Sequence, residues 1–268
     1  MTTIEKPDSK VGVLDKAMSI LRIFPRGDVT LTPLEIAAQT GLPLSTVYRL
    51  SQALCTHGLL MKDGQHFRLG IMLLHLGALV ADGIDVRSRA LPHLRWLKEQ
   101  TGENAELHIR YEETRIAVEI VRSPHNLRSF VDIGALLPLH VGAGGKILLA
   151  WLPAEEQTAL ILASIARFAS VQAIDMPALK EKLAQVQADG WASSESERAS
   201  GVSAIAAPIF DVGGQVSGAL VLAAPTTRLG ATEQAQFIPL VCEAARRTSY
   251  DIGYLNPERR LRAEAVSW

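Results

Sequence analysis

Cysteine is nearly absent. Cys55 and Cys242 are the only two in 268 residues, with no CxxC and no paired ligand spacing. That excludes a disulfide framework or a zinc site as the organising element, and Cys55 reads as a small buried hydrophobe within a helix. Long apolar runs are missing too: the longest, Leu69 to Ala81, is too short to cross a bilayer, and the opening MTTIEKPDSK carries no apolar h-region. A soluble cytoplasmic chain with no membrane partner is expected. Catalytic signatures are equally scarce. Seven histidines include no HExxH, Gly201-Val202-Ser203-Ala204-Ile205 lacks the second glycine of a nucleophile elbow, and no GxGxxG follows a strand. No catalytic residue, metal or cofactor is therefore expected.

Charge of either sign is also in short supply, with 27 Lys and Arg against 28 Asp and Glu. Its distribution is uneven, since residues 1–70 carry 8 basic against 6 acidic side chains and the remainder is acidic. A weakly basic head suits a DNA reader whose phosphate contacts are few and whose affinity is multiplied by dimerisation. The apolar fraction is ordinary, and the length allows two domains.

What is present is concentrated in residues 32–50, TPLEIAAQTGLPLSTVYRL. Thr32 and Glu35 stand at capping-box spacing, and Pro33 takes the first helical position, where its missing donor costs nothing. Gly41 ends that helix at a point requiring a left-handed backbone, and Pro43 restarts a second within three residues. Val47, Leu50 and Leu54 recur at helical spacing as an inner face. Ser45, Thr46, Tyr48, Arg49 and Gln52 are left outside, groups that bond phosphates and base edges. Two short helices about a tight turn are the layout of a helix-turn-helix, although an ordinary α-hairpin with a solvated face has the same local pattern. Two short strands about Asp63-Gly64 follow, Leu59–Lys62 and Gln65–Leu69, and read as a wing placing Lys62 and Arg68 beside the duplex. A preceding helix over 13–24, apolar at Val13, Leu14, Ala17, Ile20, Leu21 and Phe24, supplies the third helix of a small core.

Residues 70–82, GIMLLHLGALVAD, are apolar nearly all round. Such a helix must be buried on most sides, either as a core helix or as a linker paired with its copy across a two-fold axis. Its place between two domains favours the linker. Beyond it the pattern becomes mixed: a helix over 86–101 interrupted or begun at Pro92, alternating runs Ala105–Tyr111 and Ile116–Val121, and a helix from Gly145. Further helices over 154–163 and 177–189, strands over 202–210 and 215–224, and a helix over 232–254 capped by Thr232 complete it. Strands arriving as hairpins argue for an antiparallel sheet with helices packed on it. Gly142-Ala143-Gly144-Gly145 leading into a helix can hold an anion on backbone N–H groups, while close helix packing explains Gly145 equally well. A nucleotide phosphate loop is excluded by His140 and Ile147.

The sequence resembles the IclR family of bacterial transcriptional regulators along nearly its whole length. Val13-Leu14-Asp15-Lys16-Ala17, Gly41-Leu42-Pro43, Ser45-Thr46-Val47, Arg49-Leu50 and Phe67-Arg68-Leu69-Gly70 carry the resemblance in the first part. Thr101-Gly102-Glu103, Leu137-Pro138-Leu139-His140, Gly145-Lys146, Gly201-Val202 and Ile205-Ala206-Ala207-Pro208 carry it in the second. It implies an α+β chain: a winged helix-turn-helix over residues 1–69, a linker and dimerisation helix over 70–83, and a GAF-like effector domain over 84–268. Double-stranded DNA, a small-molecule effector and homodimers assembling into homotetramers are implied as partners, with control of a catabolic operon.

Carried over from the family, the effector site comprises the loop at Ala143 and Gly144, which Gly142 extends as part of the anion-binding turn, with side chains at Ser194 or Glu195, Ala204, Val221 and Ala223. Three of those side-chain positions are apolar here, and Val221 and Ala223 share one face of a strand. A smooth wall of this kind suits an aromatic or mostly apolar carboxylic acid; a small polar acid would leave unmatched acceptors costing on the order of 1–3 kcal/mol each. His108, Glu119, Arg122 and Trp191 are further candidates for the rim. Competing readings are a metabolite-binding enzyme and a winged-helix protein-interaction module, the latter separable by the salt dependence of DNA binding.

Overall fold

A computed structural model describes residues 12–24, 29–83, 85–127, 131–168 and 175–254. The MTTIEKPDSK segment and Ile84 lie outside the described residues. Two compact units emerge, the first ending at Gly83.

In the first unit, α1 (Val13–Arg22), α2 (Pro33–Thr40) and α3 (Leu44–Thr56) surround Ile20, Ile36, Val47, Leu50 and Leu54. Reciprocal capping starts α2: the Glu35 N–H donates to Thr32 Oγ1 at 3.2 Å, and the Thr32 N–H donates to Glu35 Oε2 at 2.7 Å. At its other end Gly41 adopts φ 69° and donates to the Ala37 carbonyl, so the chain turns within three residues into α3. The wing is β1 (Leu60–Asp63) paired antiparallel with β2 (His66–Leu69). Asp63 and His66 are partners, so the turn is Gly64-Gln65, one residue later than Asp63-Gly64. Gly64 at φ 59° supplies the positive φ that the twist of a two-residue hairpin requires. Leu31 pairs with Phe67 and ties the wing to the helices. Helix α4 (Ile71–Gly83) closes the unit, with Ile71, Leu74, Leu76 and Leu79 exposed in the single chain.

The second unit holds a six-stranded antiparallel sheet in the order β5-β4-β3-β8-β7-β6: β3 is Asn104–Tyr111, β4 Thr114–Val121, β5 Leu136–Pro138, β6 Ala192–Glu195, β7 Val202–Phe210 and β8 Val216–Pro225. Alternation sends Leu107, Ile205, Ala207, Leu220 and Leu222 to one face, against α5 (Asp85–Thr101) and α9 (Ala231–Asp251). Ala206, Ala219 and Val221 go to the other, against α6 (Ala143–Ala150) and α8 (Met176–Asp189), with α7 (Ala154–Arg167) contributing Ile161. Helices thus cover both faces.

Several boundaries differ from the sequence expectation. Helix α5 runs unbroken through Pro92, because burial of Ala90, Leu94 and Leu97 outweighs one lost hydrogen bond. Gly230 rather than Thr232 caps α9, its N–H donating to Glu233 Oε2. Strands β5 and β6 add to the expected elements, and α6 starts two residues before Gly145.

Candidate functional site

Helix α3 presents one polar face. Ser45, Tyr48, Arg49 and Gln52 are exposed and Thr46 is half-buried, while Val47, Leu50 and Leu54 turn to the core. Lys62 is exposed on β1, and Arg68 is half-buried on β2. This face offers hydroxyls, a phenol, an amide and a guanidinium on a rigid helix whose backbone is already satisfied, which is the chemistry of base-edge and phosphate contact.

The second unit carries a pocket on the α6 side of the sheet. Register builds it: Ser194 pairs with Ala204, Ala204 with Ala223, and Ala223 with Asn104, while Val221 stands opposite Glu106. Glu106 and His108 are two apart on β3 and share that face. Gly142, Ala143, Gly144, Ser194, Ala204, Val221 and Ala223 all line the pocket, joined by Glu106, His108, Arg115, Arg198 and Val202. Glu195 is exposed and does not line it, because alternation along β6 turns it to the face opposite Ser194.

Polar groups in the lining change the character expected of it. Arg115 is buried, and its Nη1 donates to the carbonyls of Pro138 at 2.9 Å and Val141 at 2.6 Å, fixing the turn into α6. Its Nε has no hydrogen-bond partner among the described residues. Burial, then the neighbouring Arg198, push its pKa down to about 9, which still leaves it charged at neutral pH. His108 Nε2 lies 3.0 Å from Glu106 Oε2, and burial holds its imidazole below the ordinary range. His108 Nδ1 and Glu106 Oε1 likewise have no partner among the described residues.

Glycine matters here by close approach. A Cβ on Gly144 would stand 2.9 Å from His108 Nδ1 and 3.8 Å from Arg115 Nε, so both groups converge where a side chain is missing. Gly145 answers to packing instead, since its Cβ would meet the Leu139 carbonyl oxygen at 2.2 Å. The backbone amides proposed as an anion cradle are partly engaged already: Gly142 N–H donates to Glu197 Oε2 at 2.9 Å and Ala143 N–H to Ser194 Oγ at 3.1 Å. Glu197 is also paired with the buried ammonium of Lys146, which donates to the Ser193 carbonyl at 2.9 Å. This clasp holds the segment after β6 against the start of α6, next to Arg198.

The remaining candidates lie elsewhere. Glu119 pairs with Arg87 at 2.8 Å, Arg122 pairs with Asp132 at 2.6 Å, and Trp191 is half-buried outside the lining. Sequence reasoning missed Glu106, Arg115 and Arg198. Glu106 and His108 do leave a signal, two ionisable residues two apart within an apolar strand. Arg115 leaves none, because only the register of β4 and β5 brings it beneath α6.

Residues 13–64 match the IclR helix-turn-helix domain, and residues 78–250 match the bacterial transcriptional regulator IclR C-terminal domain. The chain is 32% identical over 244 residues to the HTH-type transcriptional regulator BhcR of Paracoccus denitrificans (strain Pd 1222), covering 90% of this chain and 87% of the relative. It is 30% identical to the HTH-type transcriptional regulator XynR of Escherichia coli (strain K12), covering 90% and 97%. The fold matches an IclR homolog from Microbacterium hydrocarbonoxydans, solved in complex with 4-hydroxybenzoate, at a TM-score of 0.75 and 21% identity, covering 90% of this chain and 99% of that one. The chain therefore belongs to the IclR family, ligand-responsive transcriptional regulators, not enzymes, that bind DNA through the helix-turn-helix and a small effector in the C-terminal domain.

Proposed function

We propose that this regulator controls a catabolic operon in the cytoplasm. In this reading residues 1–69 bind a palindromic operator, 70–83 link and dimerise, and 84–268 bind an organic acid whose body is aromatic or mostly apolar. Ser45, Thr46, Tyr48, Arg49 and Gln52 read the duplex, with Lys62 and Arg68 on flanking phosphates. The exposed apolar side chains of α4 support assembly as a dimer or tetramer, since Ile71 and Leu74 are each about two-thirds exposed in the single chain.

The observation that carries the effector reading is the buried Arg115 guanidinium, with its Nε–H unpartnered among the described residues beside Gly144. A carboxylate there supplies the missing acceptor as a charge-assisted hydrogen bond, and offsets the second positive charge that Arg198 brings beside Arg115. Ala204, Val221 and Ala223 cover the body, each Å² of apolar surface contributing about 25 cal/mol. The 4-hydroxybenzoate complex of the Microbacterium hydrocarbonoxydans homolog is consistent with an aromatic acid. Glyoxylate-sized acids are disfavoured by the apolar wall they would leave uncovered, not by any want of polar partners.

Thermal unfolding of the full chain against benzoate-type acids and their neutral amides tests this reading. At one hundred times its dissociation constant a ligand stabilises by about 2.7 kcal/mol. The acids should raise the midpoint and the amides should not, with a smaller rise in Arg198→Ala. Equal shifts from acids and amides would remove Arg115 as the anchor.

A further inference from the structure

The segment between β6 and β7 is tied down at several points, yet the side chain it brings to the pocket has no bond of its own. Ser196 turns the chain at φ 53°, a left-handed backbone that is costly for a residue with a Cβ. Its N–H donates to the Val202 carbonyl at 2.8 Å and its Oγ accepts from the Gly201 N–H at 3.1 Å, which closes residues 196–202 into a loop. Glu197 reaches from that loop to α6, where its two oxygens take the Lys146 ammonium and the Gly142 N–H. Arg198, the next residue, lines the pocket and makes no hydrogen bond or ion pair among the described residues. Its guanidinium shares the pocket with that of Arg115, and like charges repel. In a pocket without an anion that repulsion drives Arg198 outward, and the restraint against it comes through the backbone from Glu197.

We propose that Glu197, clasped by Lys146, is a positioning residue for Arg198: it holds the second guanidinium at the pocket ahead of the ligand, so that an anion meets two charges without first ordering the loop. The proposal rests on the anionic-effector reading above. Both guanidiniums are set from one turn. Arg115 grips it through the Pro138 and Val141 carbonyls, and Glu197 grips the next residue through the Gly142 N–H, where a Cβ would stand 3.1 Å from Arg115 Nη2. Lys146 keeps the grip firm. Its side chain is only 3% exposed, so letting Glu197 go would leave a buried ammonium without its counter-charge.

Calorimetric titration of the full chain with benzoate, phenylacetate and cyclohexanecarboxylate compares wild type, Arg198→Ala, the pair variant Lys146→Met, Glu197→Leu, and all three changes together. A charge-assisted bond from Arg198 corresponds to about a tenfold loss of acid affinity, or more, in Arg198→Ala. The pair variant removes one charge of each sign and strands neither, so it should lose affinity towards the level of Arg198→Ala. The triple variant should lose no more than Arg198→Ala alone, because Glu197 acts through Arg198. Glu197→Gln decides the matter even if the pair variant fails to fold, since the two roles open to Glu197 have opposite signs. As a bare charge its removal would tighten the binding of an acid, whereas as a positioning residue its loss should weaken it. Acid binding of wild-type strength in Arg198→Ala or in the pair variant, a further loss in the triple variant, or tighter binding by Glu197→Gln would overturn the proposal and leave Arg115 standing as the anchor. Binding of no acid by the folded wild type would instead remove the underlying reading, and this inference with it.

Discussion

Arg49 stands exposed on the face of α3 opposite Val47 and Leu50, so Arg49→Ala removes a side chain that the core does not use. If Arg49 grips a guanine edge, its loss costs roughly 1–3 kcal/mol and relaxes specificity at one base position. Lys62→Ala should behave differently. A wing ammonium on a phosphate is indifferent to sequence, so its loss weakens all duplexes alike and lowers the salt slope by about one. Fluorescence anisotropy on an operator selected from a random duplex pool separates the two. Unchanged affinity and specificity in a Tyr48→Ala, Arg49→Ala double variant would move the reading face off α3. In the effector unit Arg115 and Glu197 illustrate how far single side chains reach, the first bridging two carbonyls to the turn before α6, the second joining Lys146 to the Gly142 amide.

Helix α4 is the element whose exposure most needs an explanation. Leu74 is 68% and Leu76 46% exposed in the single chain. Covering such a helix with its copy removes that surface from water, and replacing both leucines by Asp would place uncompensated charge in the contact. Sedimentation should show a smaller oligomer for Leu74→Asp, Leu76→Asp; an unchanged oligomer for the soluble variant would take α4 out of the interface. Elements with a strong period or a cap could be read from sequence: α2 from Thr32, Pro33 and Glu35, and β7 from its apolar run over 202–210. Edge strands could not. Among the described residues strand β6 pairs only with β7, and it reads Ala192-Ser193-Ser194-Glu195, a polar stretch whose strand character comes from its neighbour. The start of α6 was hidden for the opposite reason. Glycine disfavours helix locally, yet Gly144 and Gly145 are there because His108, Arg115 and the Leu139 carbonyl press against them. The apolar wall at Ala204, Val221 and Ala223 was legible through the family, but the charged end at Glu106, Arg115 and Arg198 depended on strand register.

At the scale of the whole chain, the polar face of α3 and the pocket above the sheet sit in separate compact units. Regulation requires that filling the second change the affinity of the first, a coupling free energy worth typically 1–3 kcal/mol, or about 5- to 150-fold. Val221 touches the space above Gly144 and stands opposite Glu106, so Val221→Asp sets a second carboxylate beside the first within the pocket and leaves α3 untouched. The decisive measurement is anisotropy of the full chain on its selected operator, over a salt series, with and without the tightest-binding organic acid. Wild-type affinity should fall steeply with salt and shift several-fold with the acid, while Val221→Asp keeps the operator affinity and loses the shift. An operator affinity indifferent to the acid in the wild type, or a shift that survives in Val221→Asp, would contradict the account.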